Sequence, residues 1–303
     1  MGTLEHELGQ PVQGEPAGVA SGAGASRTRS VWRRLKRNRL AMLGLAIIVV
    51  FIGLAVFAPW IAPYDPTASS LGKRLSPPSG EHWLGNDELG RDLFSRLVYG
   101  ARISLRIGVI SIGIGITFGV PLGLVSGYYS RWVDMIVQRV IDVMLAFPGI
   151  LLAIVLVSAL GVGLENVMLA VGIVSIPTYA RIVRGSALAL KEAEFVQAAR
   201  AAGAKDSVII FRHILPNCMA PVIVQSSLQV GAAILWAAGL GFLGLGAQPP
   251  EPEWGTILSR GRQYIMVAPH ITTFTGLAIM LVVLGFNLLG DGLRDALDPR
   301  LKD

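Results

Sequence analysis

The sequence predicts an all-α integral membrane protein with six transmembrane helices, and three observations carry that prediction. Hydrophobic residues make up 52% of the chain and charged residues only 15%, with a mean hydropathy of +0.59; so few charges cannot coat a soluble globule of 303 residues. Those charges are gathered between long uncharged runs rather than dispersed. Thirty-six glycines and 17 prolines also suit a bundle in lipid, where small residues let backbones approach and neighbouring helices re-satisfy broken turns. The net charge of +6 does not point to nucleic acid, because the basic residues flank apolar runs instead of interleaving with aromatics.

Residues 1–38 read as a tail. Its first 30 positions lack apolar periodicity and are expected to be disordered, and it ends in the basic stretch RTRSVWRRLKRNR. The first uncharged run, 40–64, places a transmembrane helix over 39–64. At 25 residues it is too long for the apolar region of a cleavable signal peptide. Seven Lys and Arg over residues 1–39, just before the uncharged run, put the N-terminus in the cytoplasm by the positive-inside rule. Counting spans onward gives 18 Lys and Arg on cytoplasmic segments against 8 on external ones.

Residues 65–102 form an external loop in which Leu93, Leu97 and Ala101 recur every four positions. That spacing predicts a short amphipathic helix on the outer interface, entering the second span through Arg102 and Arg106. Asp87, Arg91, Asp92 and Arg96 either pair among themselves or offer charges to an external partner. The five-helix core covers 103–290, with uncharged runs at 107–130, 143–164, 166–180, 214–250 and 263–290. Gly115, Gly119, Gly123 and Gly127 mark one face of the second span for close approach, by another helix of the bundle or by a partner or pathway. The 15-residue run 166–180 spans only if Arg181 and Arg184 snorkel to the inner surface. The run 214–250 is long enough for one span plus a Gly-rich re-entrant or loop portion, GLGFLGLGAQPP. Beyond it, Pro249, Pro250 and Pro252 stiffen an external loop, and Trp254 suits an aromatic belt or a docked partner. Residues 291–303 read as a cytoplasmic helix capped by Asp291 and closed by Pro299, packed under the bundle or against a partner.

The chemistry-bearing residues exclude several function classes. No nucleophile, acid–base pair or metal cluster lies in a span: Ser226 and Ser227 have no His or carboxylate beside them, Cys218 is the single cysteine, and four histidines are scattered. An ion-coupled carrier is the rival class, but it calls for ionisable residues inside the bilayer, and the uncharged runs hold none. Gln225, Ser226, Gln229 and Asn287 remain as polar groups able to line a wet path. A phosphate-binding GxxxxGK[ST] loop is absent, since Gly72-Lys73 lacks the first glycine and is followed by Arg74. Energy for uphill transport must therefore enter from another polypeptide.

The loop 183–216 between the fourth and fifth spans is the natural entry point. Phe195, Ala198, Ala199 and Ala202 share a helix face, Gly203 suits a left-handed stop, and Asp206 or Ser207 can cap a second helix ended by Leu215-Pro216. Two short helices meeting at a glycine form a knob, packed on its own protein or presented to a partner.

These residues resemble the "EAA" motif of bacterial ABC importer permeases, in which Glu-Ala-Ala is followed after three residues by Gly and nine residues later by Ile-x-Leu-Pro. Ala198, Ala199, Gly203, Leu215 and Pro216 match; Gln197 replaces the glutamate and His213 the isoleucine, with Glu194 the nearest carboxylate on the same turn. WLGNDELGRDLFSRLVYGARISL, AFPGILLAIVL, GFLGLGAQPPEPEWG and FNLLGDGLRDALDPRLK extend the likeness over roughly residues 30–303, to the second, C-type subunit of the peptide-type subfamily. The resemblance implies a type I importer fold with six helices. It implies a heterodimer with a homologous B-type permease, and one or two cytoplasmic ATPases that bind ATP and Mg, this chain holding no cofactor. It also implies an external solute-binding protein and a bacterial inner-membrane location with both termini cytoplasmic. It makes Glu194, Phe195, Gln197, Ala198, Ala199, Ala202, Gly203, Leu215 and Pro216 the ATPase-coupling residues, and gives Asp87, Arg91, Asp92, Arg96 and Trp254 as candidates for docking the binding protein. Di- or oligopeptides, glutathione among them, are the implied cargo. Nickel is the alternative within the subfamily, disfavoured by the scarcity of His and Cys.

Overall fold

The computed structural model describes residues 31–297, so the expectations for residues 1–30 and for Pro299 lie outside the described residues. Nine main helices are described. α1 (Arg39–Val56) starts where the Asn38 side chain accepts hydrogen bonds from the Leu40 and Ala41 amides. Its 18 residues extend about 27 Å, close to the ~30 Å hydrocarbon thickness, so the first span ends nearer Val56 than residue 64.

α2 (Leu93–Tyr129) is one helix of 37 residues, capped by Asp92 through the Ser95 amide at 2.8 Å. The separate interfacial helix expected over 93–101 does not exist. Leu93, Leu97 and Ala101 are buried in a cluster with Phe51, Ala55 and Trp254. A four-residue apolar period marks a buried face without saying whether lipid or protein covers it, and here protein does.

The third run is also not a straight helix. α3 (Arg131–Ala146) and α4 (Gly149–Leu160) meet at 93°. Pro148 disfavours helical geometry at the residue before it, and Phe147 is extended (φ −93°, ψ 137°). α5 (Leu164–Leu190) runs on for ten residues past the predicted 180. Arg181 and Arg184 sit within it, paired with Asp142 and Asp134 of α3 rather than snorkelling.

After α6 (Glu194–Ala201), the chain turns at Gly203 and re-enters helix at Asp206. The predicted stop at Leu215-Pro216 is overturned. A π-helical turn over Ile209–Ile214 leads directly into α7 (Leu215–Phe242). Proline has no N–H and its ring clashes with the carbonyl four residues back; the wider π turn, with the Leu215 amide bonded to the Ile210 carbonyl, absorbs both defects. The Gly-rich segment is not re-entrant: its first residues finish α7 and the rest forms a loop opened by Gly244 at φ +83°. α8 (Trp254–Gly261) follows, and α9 (Pro269–Leu297) passes unbroken through Asp291, which therefore caps nothing. Gly290 and Gly292 lie within α9, and Leu228 and Ala41 pack so close to them that a Cβ would collide.

The Tyr128–Asp206 hydrogen bond places the end of α2 beside α6. The Gly163–Leu245 bond places the start of α5 beside the far end of α7. The bent pair must thus carry the chain from one end of the bundle to the other. With the five straight spans it makes six crossings.

The most extensive helix contact is α2 with α5, and the glycine stripe creates it. Gly115 and Gly119 face Tyr179, Gly123 faces the Ala180 carbonyl and Val183, and Gly127 faces Ala187. Of the alternatives the sequence left open, the stripe serves packing within the chain.

Candidate functional site

At the α6 end of the bundle, α6 is anchored by Val196, which is fully buried, while Ala199 is half-buried against the same core. Sequence reasoning assigned no role to Val196; its place three residues before Ala199, on the same side of the helix, is the only signal. Glu194, Phe195, Gln197, Ala198, Ala202 and Gly203 are exposed, and Val208 and Phe211, 66% exposed, extend this surface. An apolar patch of small side chains flanked by two phenylalanines is suited to a protein partner. Leu215 is half-buried and Pro216 exposed at the start of α7, away from that face in sequence but continuous with it through the π turn.

Gly203 takes φ +80°, with its amide bonded to the Arg200 carbonyl and the Ala204 amide to the Ala199 carbonyl. Those two bonds close the helix with a left-handed residue, where any Cβ is strained. The Gln197 side chain donates to the Lys191 carbonyl at 3.2 Å, tying α6 back to the end of α5. A glutamate at 197 has no ionised-state donor for that carbonyl, so glutamine suits this position.

Polar bonds tie the α6 knob to the end of α2 and join the ends of α2, α3 and α5 beside it. The Tyr128 hydroxyl at the end of α2 donates to Asp206 at 2.6 Å, and Lys191 donates to Ser130 at 2.7 Å. Arg184 of α5 makes two 2.6 Å bonds to Asp134 of α3, whose carboxylate also accepts from Ser126 of α2. We expect Arg184→Ala to lower the Tm of the purified protein by removing about 1–3 kcal/mol of charged hydrogen bonding. Adding Asp134→Ala should cost less than the two single losses combined, as a thermal-melt double-mutant cycle will read.

At the opposite end, the charged quartet is a buried knot. Asp87, Arg91, Asp92 and Arg96 are 1–3% exposed. Asp87 binds the Arg91 Nε at 2.6 Å and lies 3.2 Å from the Arg96 Nε, which is near enough for charge attraction but not aligned to donate. Arg96 instead donates to the Pro66 carbonyl at 2.8 Å, and Asp92 accepts from Ser95 and His82. Side chains so placed cannot touch a docking protein, so the structural alternative holds for this quartet. Trp254 is likewise neither belt nor docking contact. It is 1% exposed, lies over Gly100, and donates its indole N–H to the Leu97 carbonyl at 3.1 Å. Sequence reasoning missed Glu253, also buried, which caps α8 through the Gly255 and Thr256 amides at 2.7 Å. Burial pushes its carboxyl above the ordinary range, against the downward pull of those bonds.

The four polar candidates for a pathway do not share one cavity. Gln225 lines a 540 Å³ cavity near the α6 end, Asn287 an apolar 610 Å³ groove between α7 and α9. Ser226 bonds the Val222 carbonyl and the Tyr179 hydroxyl, and Gln225 reaches Gln229 at 3.5 Å.

Residues 119–303 match the family model described as binding-protein-dependent transport system inner membrane component, and residues 26–78 match the N-terminal transmembrane domain of oligopeptide transport permease C. The chain is 53% identical to the dipeptide transport system permease protein DppC of Alkalihalophilus pseudofirmus, over 90% of both chains. It is 50% identical to the glutathione transport system permease protein GsiD of Pectobacterium atrosepticum, over 90% of this chain and 91% of that one. Among solved structures, an inward-facing form of the MetNI methionine ABC transporter covers 66% of this chain and 96% of that chain, with TM-score 0.53 at 20% identity, a likeness of fold.

Proposed function

The chain belongs to the family of binding-protein-dependent transport system inner membrane components, and from that premise we propose that it is the C-type permease of an ATP-driven peptide importer. It is a transport subunit of the ABC type. In this proposal its cargo is di- or oligopeptide, glutathione included, delivered by an external binding protein. A homologous B-type permease completes the membrane unit, and ATPases bind ATP and Mg on the cytoplasmic side. The excess of Lys and Arg on the segments sharing a side with α6, 18 against 8, supports cytoplasmic termini and a cytoplasmic α6.

The observation that carries the reading is the exposed, small-residue face of α6, held rigidly by Val196 and bonded to α2 and α5. An ATPase gripping this face moves α6 as a body, because the left-handed Gly203 turn and the Tyr128–Asp206 bond leave little slack. The π turn passes that motion straight into α7.

Gly203→Val tests it. A Cβ at 203 meets open space, so the cost is backbone strain of about 1–2 kcal/mol rather than a clash. The variant is expected to assemble in the membrane yet show ATP hydrolysis no longer matched by peptide uptake in proteoliposomes. Gly203→Asn, which tolerates the left-handed region, should retain most uptake. Normal transport by Gly203→Val rejects the lever. The cargo is tested by uptake of labelled dipeptide, glutathione and nickel in cells with and without this gene.

A further inference from the structure

We propose that the short basic helix over residues 31–37 is a docking surface for anionic phospholipid, held against the end of α9 where the chain enters its first span. This goes beyond the importer reading, since it concerns the lipid the subunit selects and neither its cargo nor its energy source.

The helix has two faces. Val31 and Leu35 stand at i and i+4 and pack inward; Leu35 is 5% exposed and lies in a cluster with Ala41, Leu289, Leu293 and Ala296. Gly292 of α9 makes room for it, because a Cβ there would stand 3.3 Å from the Leu35 side chain. The outer face carries Trp32, Arg33, Lys36 and Arg37, all exposed, and Arg39 follows at the head of α1. The Lys36 ammonium lies over the Trp32 ring, 5.2 Å from its centroid. Among the described residues none of these cations pairs with a carboxylate. The chain supplies none close by in sequence, for no Asp or Glu occurs between Glu15 and Asp65. Asp295 of α9 reaches Asn38 instead, at 3.4 Å.

Position is fixed as firmly as charge. A single extended residue, Asn38, separates this helix from α1, and its amide bonds back to the Leu35 carbonyl at 3.1 Å. Seven helical residues reach about 10 Å, so no cation on the outer face stands farther than roughly a Debye length from the headgroups that border the span. The positive-inside bias asks only that basic residues stay on one side of the membrane. It does not ask that they be helical, confined to one face and joined there by a tryptophan, whose ring suits the headgroup level. That combination is the pattern of a helix lying in an interface. Each Lys or Arg so placed strengthens attraction to an anionic lipid surface by roughly fivefold. An acidic protein surface is the rival occupant, and the place of the helix directly beside the span favours lipid.

The test uses the complete transporter in vesicles of phosphatidylcholine with a minor fraction of phosphatidylglycerol, one lipid or the other carrying bromine on its acyl chains. The difference in fluorescence quenching between wild type and Trp32→Phe isolates Trp32. At low salt, brominated phosphatidylglycerol is expected to quench Trp32 about threefold more than its bulk share gives. Molar salt should return quenching to that share, as should the triple variant Arg33→Gln, Lys36→Gln, Arg37→Gln. The salt titration of the wild type decides the matter even where the triple variant fails to accumulate. Quenching at the bulk share in low salt overturns the proposal, as does an excess that salt leaves unchanged. Quenching by neither brominated lipid shows that a protein surface covers Trp32, and overturns it as well.

Discussion

Replacing Asp87 by alanine is expected to prevent accumulation of folded protein. The Asp87 carboxylate is 1% exposed, holds the buried Arg91 guanidinium at 2.6 Å, lies 3.2 Å from that of Arg96, and accepts the Leu89 and Arg91 amides. Removing one partner of a buried pair strands the other charge, at a cost of about 3–5 kcal/mol, a large share of the stability of a domain. The knot also joins distant parts of the chain. Glu88 bonds Arg91 and Arg260, and His270 pairs with the Asn86 carbonyl. Its loss should therefore loosen α8 and the start of α9 as well as the head of α2. Asp87→Asn keeps a side-chain acceptor for the amides but not the charge, so an intermediate loss is expected. Glu81→Ala serves as a control: its pair with Lys73 is exposed, and such pairs contribute little. Yield of monodisperse protein on size exclusion, and its melting temperature, read all three. Wild-type yield from Asp87→Ala would show that the knot does not hold this end together.

Substituting Gly123 by valine should be comparably severe for a different reason. A Cβ there lies 2.5 Å from the Ala180 carbonyl oxygen, 2.8 Å from the Val183 Cβ and 3.0 Å from the Arg184 amide. These are mainly backbone atoms of a packed helix and cannot swing aside as a long side chain would. α2 and α5 must move apart, forfeiting contacts along their whole interface and pulling Arg184 away from Asp134. The cost should reach or exceed the upper end of the ~1–3 kcal/mol usual for overpacking. Gly113→Val, on the same helix but facing open space, supplies the comparison, and its melting temperature should stay within a few degrees of wild type. Equal melting temperatures for the two variants would reject the close approach of α2 and α5.

Legibility followed the physics of each feature. The spans were readable because hydrocarbon rejects charge, so uncharged runs record the membrane directly. The glycine stripe and the Gly203 turn were readable because only a missing Cβ permits them. Errors arose where one local pattern permits two environments. Leu93, Leu97 and Ala101 have the period of an interfacial helix and of a buried one. Arg181 and Arg184 end an uncharged run whether they snorkel or meet Asp142 and Asp134. Pro148 lay inside an apolar run that read as straight, and Pro216 read as a stop because a π turn leaves no mark in composition. Val196 and Glu253 were missed since a lone valine or glutamate says nothing until its neighbours are known.

The sequence by itself determined that the chain crosses a membrane six times, carries no ATP-binding loop, and presents a short helix, a glycine elbow and a return between its fourth and fifth spans. Composition, charge placement and missing side chains are local properties, and each follows from residues near one another in the chain. Tertiary structure alone decided that Asp87, Arg91, Asp92 and Arg96 are a buried knot, that Trp254 faces inward, and that the third crossing is bent. Burial and pairing depend on which distant residues arrive beside a side chain. Asp87 needs Arg96, Trp254 needs Gly100, and the α3–α4 bend needs Val174 and Trp236 to hold it, and only the folded bundle brings them together.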